Sequence, residues 1–447
     1  MRFSFQTFPP LLLVAWAIIL FSLIILVVAQ QQSVLYDHGV TTLAHAPTLR
    51  KLSLGTAARC LDGTSPAYYI RKGSGNGREK WVVFFEGGGW CMDLEQCFLR
   101  SKMRLGSSAS YPPTATRSMF GHYLSQSAII NPMMHDWNTV YVRYCDGASF
   151  AGDAVQTFNG TTLHFRGKAN RDETIKSLIQ SEGMKAAAEV VIIGGSAGGL
   201  GIFLGIDAMA DIIHREVGQT VVVRGLPDSG YFLKYTSNKP VQLTHLKEGR
   251  DEAFSNGLMD YKQSMQDLFH FANVSSGTNA ECLAAQLRSR LPASNCIFAE
   301  HLLPVVKTPL FLVQPQFDSW QLQHVLGNYT ERAVNRFGYM LVSEIRRTLH
   351  EGPPGHGMFI DSCAHHVTGC SNPAENTWSG KNVLSSENLT PASAFERWYG
   401  QSLGLNTTSI PTKVLGGINN ATQGVNWFFQ DAQYPCKHCC LCKLPKH

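Results

Sequence analysis

The chain is poor in charge and has no concentrated block of one sign. Only 16% of its 447 residues are charged, and 38 lysines and arginines against 33 aspartates and glutamates give a formal net charge of +5 at pH 7. Because no run of lysine or arginine stands out, the sequence gives no support to a nucleic-acid-binding surface. The mild positive charge would favour an acidic substrate through its long-range field, although a solvated surface without a selected partner accounts for it equally well.

The sequence also lacks the glycine-rich motifs of nucleotide-binding proteins. Neither G-x-G-x-x-G nor G-x-x-x-x-G-K-[ST] occurs in it, which removes support for a nucleotide site. No internal repeat and no long low-complexity block is present, and a hydrophobic content of 44% is typical of a packed core rather than of disorder. A chain of 447 residues can hold one large domain or two.

One long apolar run is found at the N-terminus. Residues 11–29 are almost all apolar, follow a single basic residue, Arg2, and end in Val27-Val28-Ala29. The Val-x-Ala ending favours a cleaved secretory signal over residues 1–29, while a run of this length could instead remain as a single-pass membrane anchor. A polar linker is expected over residues 30–52. In both cases the rest of the chain enters an oxidising compartment, so we expect an extracellular protein.

Cysteines and glycosylation motifs agree with export. The chain has twelve cysteines, and its six N-x-[ST] sequons are at Asn159, Asn273, Asn328, Asn388, Asn406 and Asn420. Disulfides are therefore expected. The candidate pairs, whose connectivity spacing alone does not prove, are Cys91–Cys97, Cys282–Cys296 and Cys60–Cys145. The cysteine-rich tail, residues 436–447, could also be interpreted as a metal site, but disulfides are favoured there because zinc would require reduced thiols. No metal is predicted.

Short apolar runs alternate with helical patterns across residues 53–435, which we assign to one catalytic domain. Apolar β-branched runs without polar alternation indicate strands buried on both faces of a mostly parallel sheet. The predicted strands cover residues 81–85, 139–144, 189–193, 220–223 and 310–313. Residues 239–303 interrupt the alternation with helical stretches and two cysteines. We interpret them as an insertion that either caps the substrate site or is a helical excursion without a function of its own.

The most informative stretch is Gly194-Gly195-Ser196-Ala197-Gly198, between the buried run 190–193 and an apolar helical pattern over 200–206. A G-x-S-x-G sequence between a strand and a helix predicts a nucleophile elbow, in which the serine lies on a turn too tight for side chains two residues away on either side. A glycine-rich turn after a strand can also bind phosphate or simply reverse the chain. The partners of Ser196 therefore decide between these interpretations.

The other parts of an acyl-transfer site occur in the chain order Ser, Asp, His that is used by α/β-hydrolases. Strand 81–85 leads into three glycines, so the amides of Gly88 and Gly89, with that of Ala197, are predicted to form an oxyanion hole. A simple turn is the alternative for this loop. Asp318 follows strand 310–313 and is the candidate acid, unless it only caps a helix. His366, one of three histidines in the stretch 355–366 beyond Asp318, is the candidate base. These features predict an α/β-hydrolase-like three-layer fold.

Six blocks of the sequence resemble the pectin acetylesterase and Notum carboxylesterase family. They are F-F-E-G-G-G-W-C (84–91), N-T-V-Y-V-R-Y-C-D-G-A-S-F (138–150), G-S-A-G-G (195–199), P-D-S-G-Y-F (227–232), F-D-S-W-Q (317–321) and S-C-x-x-H (362–366). The resemblance implies Ser196 as nucleophile, Asp318 as orienting acid and His366 as base, with no metal or organic cofactor. The F-D-S-W-Q block is more similar to the plant pectin acetylesterases, which implies acetylated pectic polysaccharide of the cell wall as substrate. A monomer is expected.

Two positions depart from the pattern of this family. Its plant members usually carry a cysteine before the elbow serine and another directly after the catalytic histidine, and Gly195 and Val367 occupy those positions here. We therefore expect an altered disulfide, for which Cys370 is a replacement candidate. His365 is an alternative base, although the spacing from Cys363 favours its neighbour. Two other functions stay open: removal of a longer acyl group from a protein or lipid, and a non-catalytic wall-binding role.

Overall fold

The computed structural model describes residues 46–236, 241–242, 258–327, 329–368, 377–380, 383–404, 426–430 and 432–435. From Pro47 onward the chain belongs to one compact unit. The predicted signal or anchor, most of the linker, the cysteine-rich tail, Cys370 and the sequons at Asn328, Asn406 and Asn420 lie outside the described residues.

The strands are β1 (Thr48–Lys51), β2 (Ala67–Arg71), β3 (Lys80–Phe85), β4 (Asn138–Val142), β5 (Ala154–Phe158), β6 (Thr161–Phe165), β7 (Glu189–Gly195), β8 (Val222–Asp228), β9 (Val241–Gln242), β10 (Leu258–Met259), β11 (Phe311–Pro315), β12 (Gly357–Asp361) and β13 (Asn426–Phe429). The α-helices are α1 (Leu94–Arg100), α2 (Gly167–Ser181), α3 (Ala197–Glu216), α4 (Tyr261–Phe271), α5 (Ala280–Arg288), α6 (Ala299–Leu302), α7 (Ser319–Gln321), α8 (Glu331–Glu351) and α9 (Pro391–Ser402).

Nine of these strands form one twisted sheet in the order β1-β2-β4-β3-β7-β8-β11-β12-β13. The pairs β1–β2 and β2–β4 are antiparallel, and all pairs from β4–β3 to β12–β13 are parallel. Parallel strands need crossover connections, which place helices on the sheet faces. The prediction of an α/β fold with a mostly parallel central sheet is therefore confirmed.

Strand β7 lies in the middle of the sheet and shows why three layers form. Its run of four β-branched residues is completely buried. Val190 and Ile192 pack into the core on one face, whereas Val191 and Ile193 pack into a second core on the other face. Because side chains alternate across a strand, a run without polar residues requires an apolar layer on both sides. Helices α3 and α9 contribute to the two opposite layers.

Helix α3 continues the chain directly from β7 and carries glycines and large apolar residues in its first turns. Within the described part of the chain it is the one helix long and apolar enough to cross a bilayer, and most of it is buried in the core. Its apolarity is therefore explained by its position between the sheet and helices α2 and α6, which it contacts.

Several predicted boundaries need correction. Residues 48–51, which we included in the linker, form the edge strand β1, because they pair with β2. The strand predicted over 220–223 begins at Val222 and runs on to Asp228, since Pro227 and Asp228 pair with Gly194 and Gly195 of β7. The two hairpins β5–β6 and β9–β10 and the strands β2, β12 and β13 were not predicted.

The predicted insertion is described only in part. Its residues 258–303 form β10 and helices α4, α5 and α6, and α4 buries Met265, Leu268 and Phe269 in the same core as α3. The predicted disulfides Cys60–Cys145, Cys91–Cys97 and Cys282–Cys296 are all present. The last of them joins the start of α5 to the segment before α6.

Candidate active site

Ser196 lies on a strained turn between β7 and α3. Its backbone has φ 57° and ψ −124°, a region that residues with a side chain rarely adopt. The turn leaves no room for side chains on either side. A Cβ on Gly194 would lie 2.2 Å from the carbonyl oxygen of Gly198, and a Cβ on Gly198 would lie 2.2 Å from that of Phe85. The serine hydroxyl is thereby presented at the carboxyl end of the central strands.

His366 connects Ser196 to a buried carboxylate. Its Nε2 lies 2.7 Å from Ser196 Oγ, and its Nδ1 lies 2.7 Å from Asp318 Oδ2. Asp318 follows β11 and is fully buried, whereas the imidazole keeps some exposure. A carboxylate bonded to Nδ1 fixes the tautomer in which Nε2 can accept the serine proton. The structure thus brings together the three side chains that the sequence separates by up to 170 positions.

Asp318 has two partners, so the alternatives of acid and helix cap are compatible. Its Oδ1 accepts a hydrogen bond from the amide of Gln321 at 2.8 Å and caps the short helix α7, while Oδ2 bonds His366. The amide of Ser319 donates to the carbonyl of His365 at 3.0 Å, which ties the acid segment to the histidine segment. The cap holds the carboxylate in the orientation that the imidazole requires.

His365 occupies a different environment from its neighbour. Its Nε2 donates to the buried carboxylate of Asp361 at 3.1 Å and its Nδ1 donates to the carbonyl of Val367 at 3.0 Å. Burial opposes protonation of this imidazole, but the Asp361 charge and these hydrogen bonds outweigh it and raise the pKa of His365 to about 9. Only His366 of the two contacts Ser196 and Asp318.

Three residues near the two adjacent histidine positions are of the types that bind metal ions. Asp361, Cys363 and His365 bring three potential ligand atoms within 4.8 Å of one another. Cys363 is disulfide-bonded and therefore offers no thiolate, and the other two groups are bonded to each other. These residues are suited to an ion pair rather than to a metal.

The glycine loop after β3 is pressed against the elbow. A Cβ on Gly87 would lie 2.5 Å from the carbonyl oxygen of Gly195, and Gly88 and Gly89 have φ of 135° and 61°. Arg100 donates to the carbonyl of Gly88 at 2.8 Å, which orients the following amide, that of Gly89. Among the described residues, the amides of Gly88 and Gly89 have no protein acceptor. Two backbone donors are therefore left free beside the serine.

The third predicted donor is the amide of Ala197 at the start of α3. The carbonyl of Ser196 accepts from Leu200 at 2.9 Å, which fixes the peptide group whose N–H belongs to Ala197. As a first-turn amide of a helix, this N–H has no acceptor in its own helix. The positive end of the helix dipole adds to its attraction for a developing negative charge.

Glu86 anchors the glycine loop from the other side. Its carboxylate forms an ion pair with the buried Arg143 at 2.7 Å and accepts from the amide of Tyr144 at 2.9 Å. Burial raises the pKa of Glu86, and the Arg143 charge opposes that rise. The hydroxyl of Tyr144 in turn donates to the carbonyl of Gly89 at 3.0 Å. The loop is thus held by side chains as well as by its glycines.

Four aromatic rings, which we call the aromatic cluster, pack beside His366. They come from the glycine loop, from the segment after β8, from α4 and from α7, and they are Trp90, Phe232, Tyr261 and Trp320. Trp320 has its ring centroid 5.5 Å from Trp90, 5.3 Å from Phe232 and 6.0 Å from Tyr261. The imidazole of His366 lies 6.2 Å from Trp320 and 6.1 Å from Phe232. The cluster forms an apolar wall next to His366.

Comparison with known proteins assigns the chain to a family. Residues 42–440 match the family model described as Pectinacetylesterase. The chain belongs to the pectinacetylesterase family. Pectin acetylesterase 5 of Arabidopsis thaliana is 32% identical over 378 residues, which cover 78% of this chain and 80% of that protein. The resemblance seen in the sequence is confirmed, and the chain is a carboxylic ester hydrolase.

The animal branch of relatives is also similar. A palmitoleoyl-protein carboxylesterase NOTUM of Schmidtea mediterranea is 30% identical over 322 residues, which cover 71% of this chain and 57% of that protein. The solved structure of the Wnt deacylase Notum from Drosophila superposes with a TM-score of 0.65 at 23% identity, covering 81% of this chain and 95% of that chain. At that identity the superposition shows the fold alone, which is α/β-hydrolase-like.

The two positions at which this member of the pectinacetylesterase family departs from the plant pattern are neighbours in space. A Cβ on Gly195 would lie 3.2 Å from Cγ1 of Val367. The glycine and the valine therefore fill, without a covalent bond, the junction between the elbow and the segment that follows His366.

Sequence reasoning missed some residues of this site. Gly87 could have been singled out as the first glycine of its loop. Nothing in the sequence indicated that the aromatic cluster would assemble from four separate segments, or that Asp228 would lie under the elbow.

Proposed function

We propose that this carboxylic ester hydrolase is a serine esterase that removes acetyl groups from pectic galacturonan. The observation that carries the proposal is the pair of 2.7 Å contacts that joins Ser196 Oγ, His366 and Asp318 on a nucleophile elbow. Free backbone amides of Gly88 and Gly89 beside this serine supply the donors that acyl transfer requires.

The reaction proceeds through an acetyl-enzyme. His366 Nε2 takes the proton of Ser196 Oγ as the oxygen attacks the ester carbonyl carbon. The amides of Gly88, Gly89 and Ala197 hold the negative oxygen, and Asp318 stabilises the imidazolium. His366 then gives its proton to the departing sugar oxygen, and a C–O bond breaks. A water molecule, deprotonated by His366, attacks the acetyl-enzyme, and acetate leaves with return of the proton to Ser196.

The aromatic cluster favours a short acyl group. Its rings are in contact, with centroid distances of 4.9 Å between Trp90 and Phe232 and 5.3 Å between Phe232 and Trp320. Rings at such distances leave no gap for an alkyl chain, because an interior packed at contact distance cannot accept further methylenes without displacement. An acetyl methyl fits against such a wall. Removal of a palmitoleoyl group, the reaction printed in the names of the animal relatives, would require these rings to move.

An acidic polymer agrees with the charge of the protein. The formal net charge of +5 attracts a polyanion such as galacturonan, and the relatives of 32% and 30% identity include proteins named pectin acetylesterases. We propose that the helices of residues 258–303 belong to the substrate-binding part of the catalytic domain, because Tyr261 at the start of α4 packs against Trp320. The three disulfides in which both cysteines are described agree with an extracellular, cell-wall location.

The test is acetate release from acetylated pectin. Natively secreted protein should release acetate from it. The Ser196→Ala variant should fold with the same melting temperature, and its rate of acetate release should be several orders of magnitude lower. Chemically deacetylated pectin is the blank. Acetylated xylan, a less acidic polymer, tests the preference for a polyanion. Binding to pectin without any acetate release would contradict the proposal and would favour the non-catalytic, wall-binding alternative.

A further inference from the structure

Asp228 ends strand β8 directly beneath the elbow. Its carbonyl oxygen accepts the amide of Ser196 at 2.9 Å, as a continuation of the pairing between β7 and β8. The residue that follows, Ser229, donates its own amide to the carbonyl of Val313 in β11, the strand that leads to Asp318. The backbone at this point therefore contacts both the nucleophile and the strand that carries the acid.

The carboxylate of Asp228 holds the segment after the base. Oδ2 accepts the amide of Thr368 at 2.7 Å, and Oδ1 accepts the hydroxyl of Ser229 at 3.0 Å. That hydroxyl oxygen accepts the amide of Val367 at 2.9 Å. Tyr123 donates its hydroxyl to Oδ2 at 3.0 Å. The two amides that directly follow His366 along the chain are thus both bound by the Asp228–Ser229 pair.

This carboxylate has no role in the reaction as derived above, and its position is energetically demanding. Asp228 is completely buried, and burial raises its pKa, while the hydrogen bonds from Thr368 oppose the rise. Buried carboxylates are uncommon unless they are fully hydrogen-bonded, and this one is bonded to three described residues from two distant segments. The free-energy cost of burying this carboxylate is thus offset by hydrogen bonds, one of which holds the segment that follows His366.

The base segment is held on its other side as well. His365 is bonded to Asp361 at the end of β12, and Cys363 donates its amide to the same carboxylate at 2.9 Å. These hydrogen bonds hold the residues before His366, whereas the Asp228–Ser229 pair holds the residues after it. Of the two, only Asp228 also contacts Ser196.

We propose that Asp228 is a positioning residue of the esterase site, which sets the distance between nucleophile and base by holding Ser196 through its carbonyl and the residues after His366 through its carboxylate. This inference rests on the proposed function, because it assumes that Ser196 and His366 react with each other. A displacement of about 1 Å between reacting groups can reduce the rate about 100-fold.

The first experiment separates positioning from folding. Asp228→Ala should lower kcat on 4-nitrophenyl acetate about 100-fold, with KM changed less than about threefold, because the substrate-binding surface is not altered. Asp228→Asn keeps an oxygen acceptor for Thr368 and should recover most of kcat. Ser229→Ala removes the acceptor of the Val367 amide and one donor to Asp228 Oδ1 but leaves the bond from Asp228 to Thr368, and it should lower kcat about tenfold. Near-ultraviolet circular dichroism and the melting temperature report whether each variant is folded.

The matched control is Asp207→Asn. Its carboxylate likewise accepts backbone amides, those of Lys307 and Thr308, but it lies eleven residues beyond Ser196 along α3, about 16 Å away along the helix axis. This variant should keep kcat within about twofold of the parent, since its amide can still accept one of the two bonds. If folded Asp228→Ala and Ser229→Ala kept the parent kcat, or changed KM alone, the positioning role would be overturned.

A covalent cross-link tests the role directly. A Cβ at position 195 would lie 3.2 Å from Cγ1 of Val367, which suits a disulfide in the Gly195→Cys/Val367→Cys variant. Peptide mapping verifies the bond. The effect of Asp228→Ala on kcat should fall from about 100-fold without the cross-link to less than about tenfold with it, because the bond supplies the same restraint. An equal loss in both backgrounds would overturn the inference.

Failure of this inference differs from failure of the proposed function. If Ser196→Ala remained active, the serine mechanism would be wrong and the positioning role, which assumes it, would be overturned as well. If Ser196→Ala were inactive and the Asp228 variants were fully active, the mechanism would stand and the positioning role alone would be lost.

Discussion

Replacement of Trp320 by alanine should change the range of acyl groups that the enzyme accepts. The indole is the ring that contacts the three other members of the aromatic cluster and the base, with centroid distances of 5.3–6.2 Å. Its removal opens a cavity against rings that are otherwise buried. Each methylene that enters such a cavity gains about 0.8 kcal/mol, or roughly fourfold in kcat/KM. The pentanoyl ester has three methylenes more than the acetyl ester. The ratio of kcat/KM for the pentanoyl ester to that for the acetyl ester should therefore be about 60-fold higher in Trp320→Ala than in the parent.

The assay is a series of 4-nitrophenyl esters from acetate to decanoate. The parent should lose activity steeply beyond the shortest esters, and Trp320→Ala should move the optimum to longer chains while acetate hydrolysis falls several-fold, because the ring also supports His366. The control is Trp427→Ala, since Trp427 is an exposed tryptophan of the edge strand β13. An unchanged profile in Trp320→Ala would refute the assignment of the cluster as the wall of the acyl pocket. A parent that prefers long esters would favour a longer acyl substrate.

Three further outcomes follow from the site. His366→Ala should lose nearly as much kcat as removal of the nucleophile, whereas folded His365→Ala should keep most of it; the reverse order in ester hydrolysis would move the base to His365. Gly198→Ala should destabilise the fold by several kcal/mol in urea titrations, because its Cβ would lie 2.2 Å from the carbonyl oxygen of Phe85, and a stable variant would contradict this packing. The folded state binds the proton of the His365 imidazole more tightly than the unfolded state does, because the pKa of His365 is raised to about 9. The His365–Asp361 pair should therefore stabilise the protein fully below pH 6.5, the ordinary histidine pKa, and this stabilisation should be lost as the pH rises through about 9. The difference in unfolding free energy between the parent and His365→Gln should therefore shrink over that interval, and a constant difference would be contrary to the ion pair.

Central parts of the fold were predictable because their sequence signals are local. The Val190–Ile193 run indicates a strand buried on both faces, and it ends at the G-x-S-x-G sequence of residues 194–198. Strand β12 was missed, although Met358, Phe359 and Ile360 are all buried, because a run of three apolar residues is too short to distinguish a strand from a loop. Strand β1 is an exposed edge with polar residues, so it carried no signal of burial.

The site was predictable to a similar extent. The order Ser196, Asp318, His366 follows from the chemistry of acyl transfer on this fold, and each residue has a local context of its own. The choice between the adjacent histidines rested only on the spacing from Cys363 in the family motif, although one step along an extended segment turns the side chain to the other side. In the structure, His366 is the one that contacts Ser196 and Asp318. Asp228 was quoted within a motif without a role, since the bonds that give it one come from residues 140 positions away.

The most direct test of the central claim is the capture of the acetyl-enzyme. The protein is mixed with 4-nitrophenyl acetate, quenched with acid within the first turnover, and digested for peptide mass analysis. A burst of nitrophenolate and an acetyl group on Ser196, in the peptide that joins β7 to α3, are the results that we expect. An acetyl group on any other residue during turnover, or full turnover by Ser196→Ala, would contradict the account.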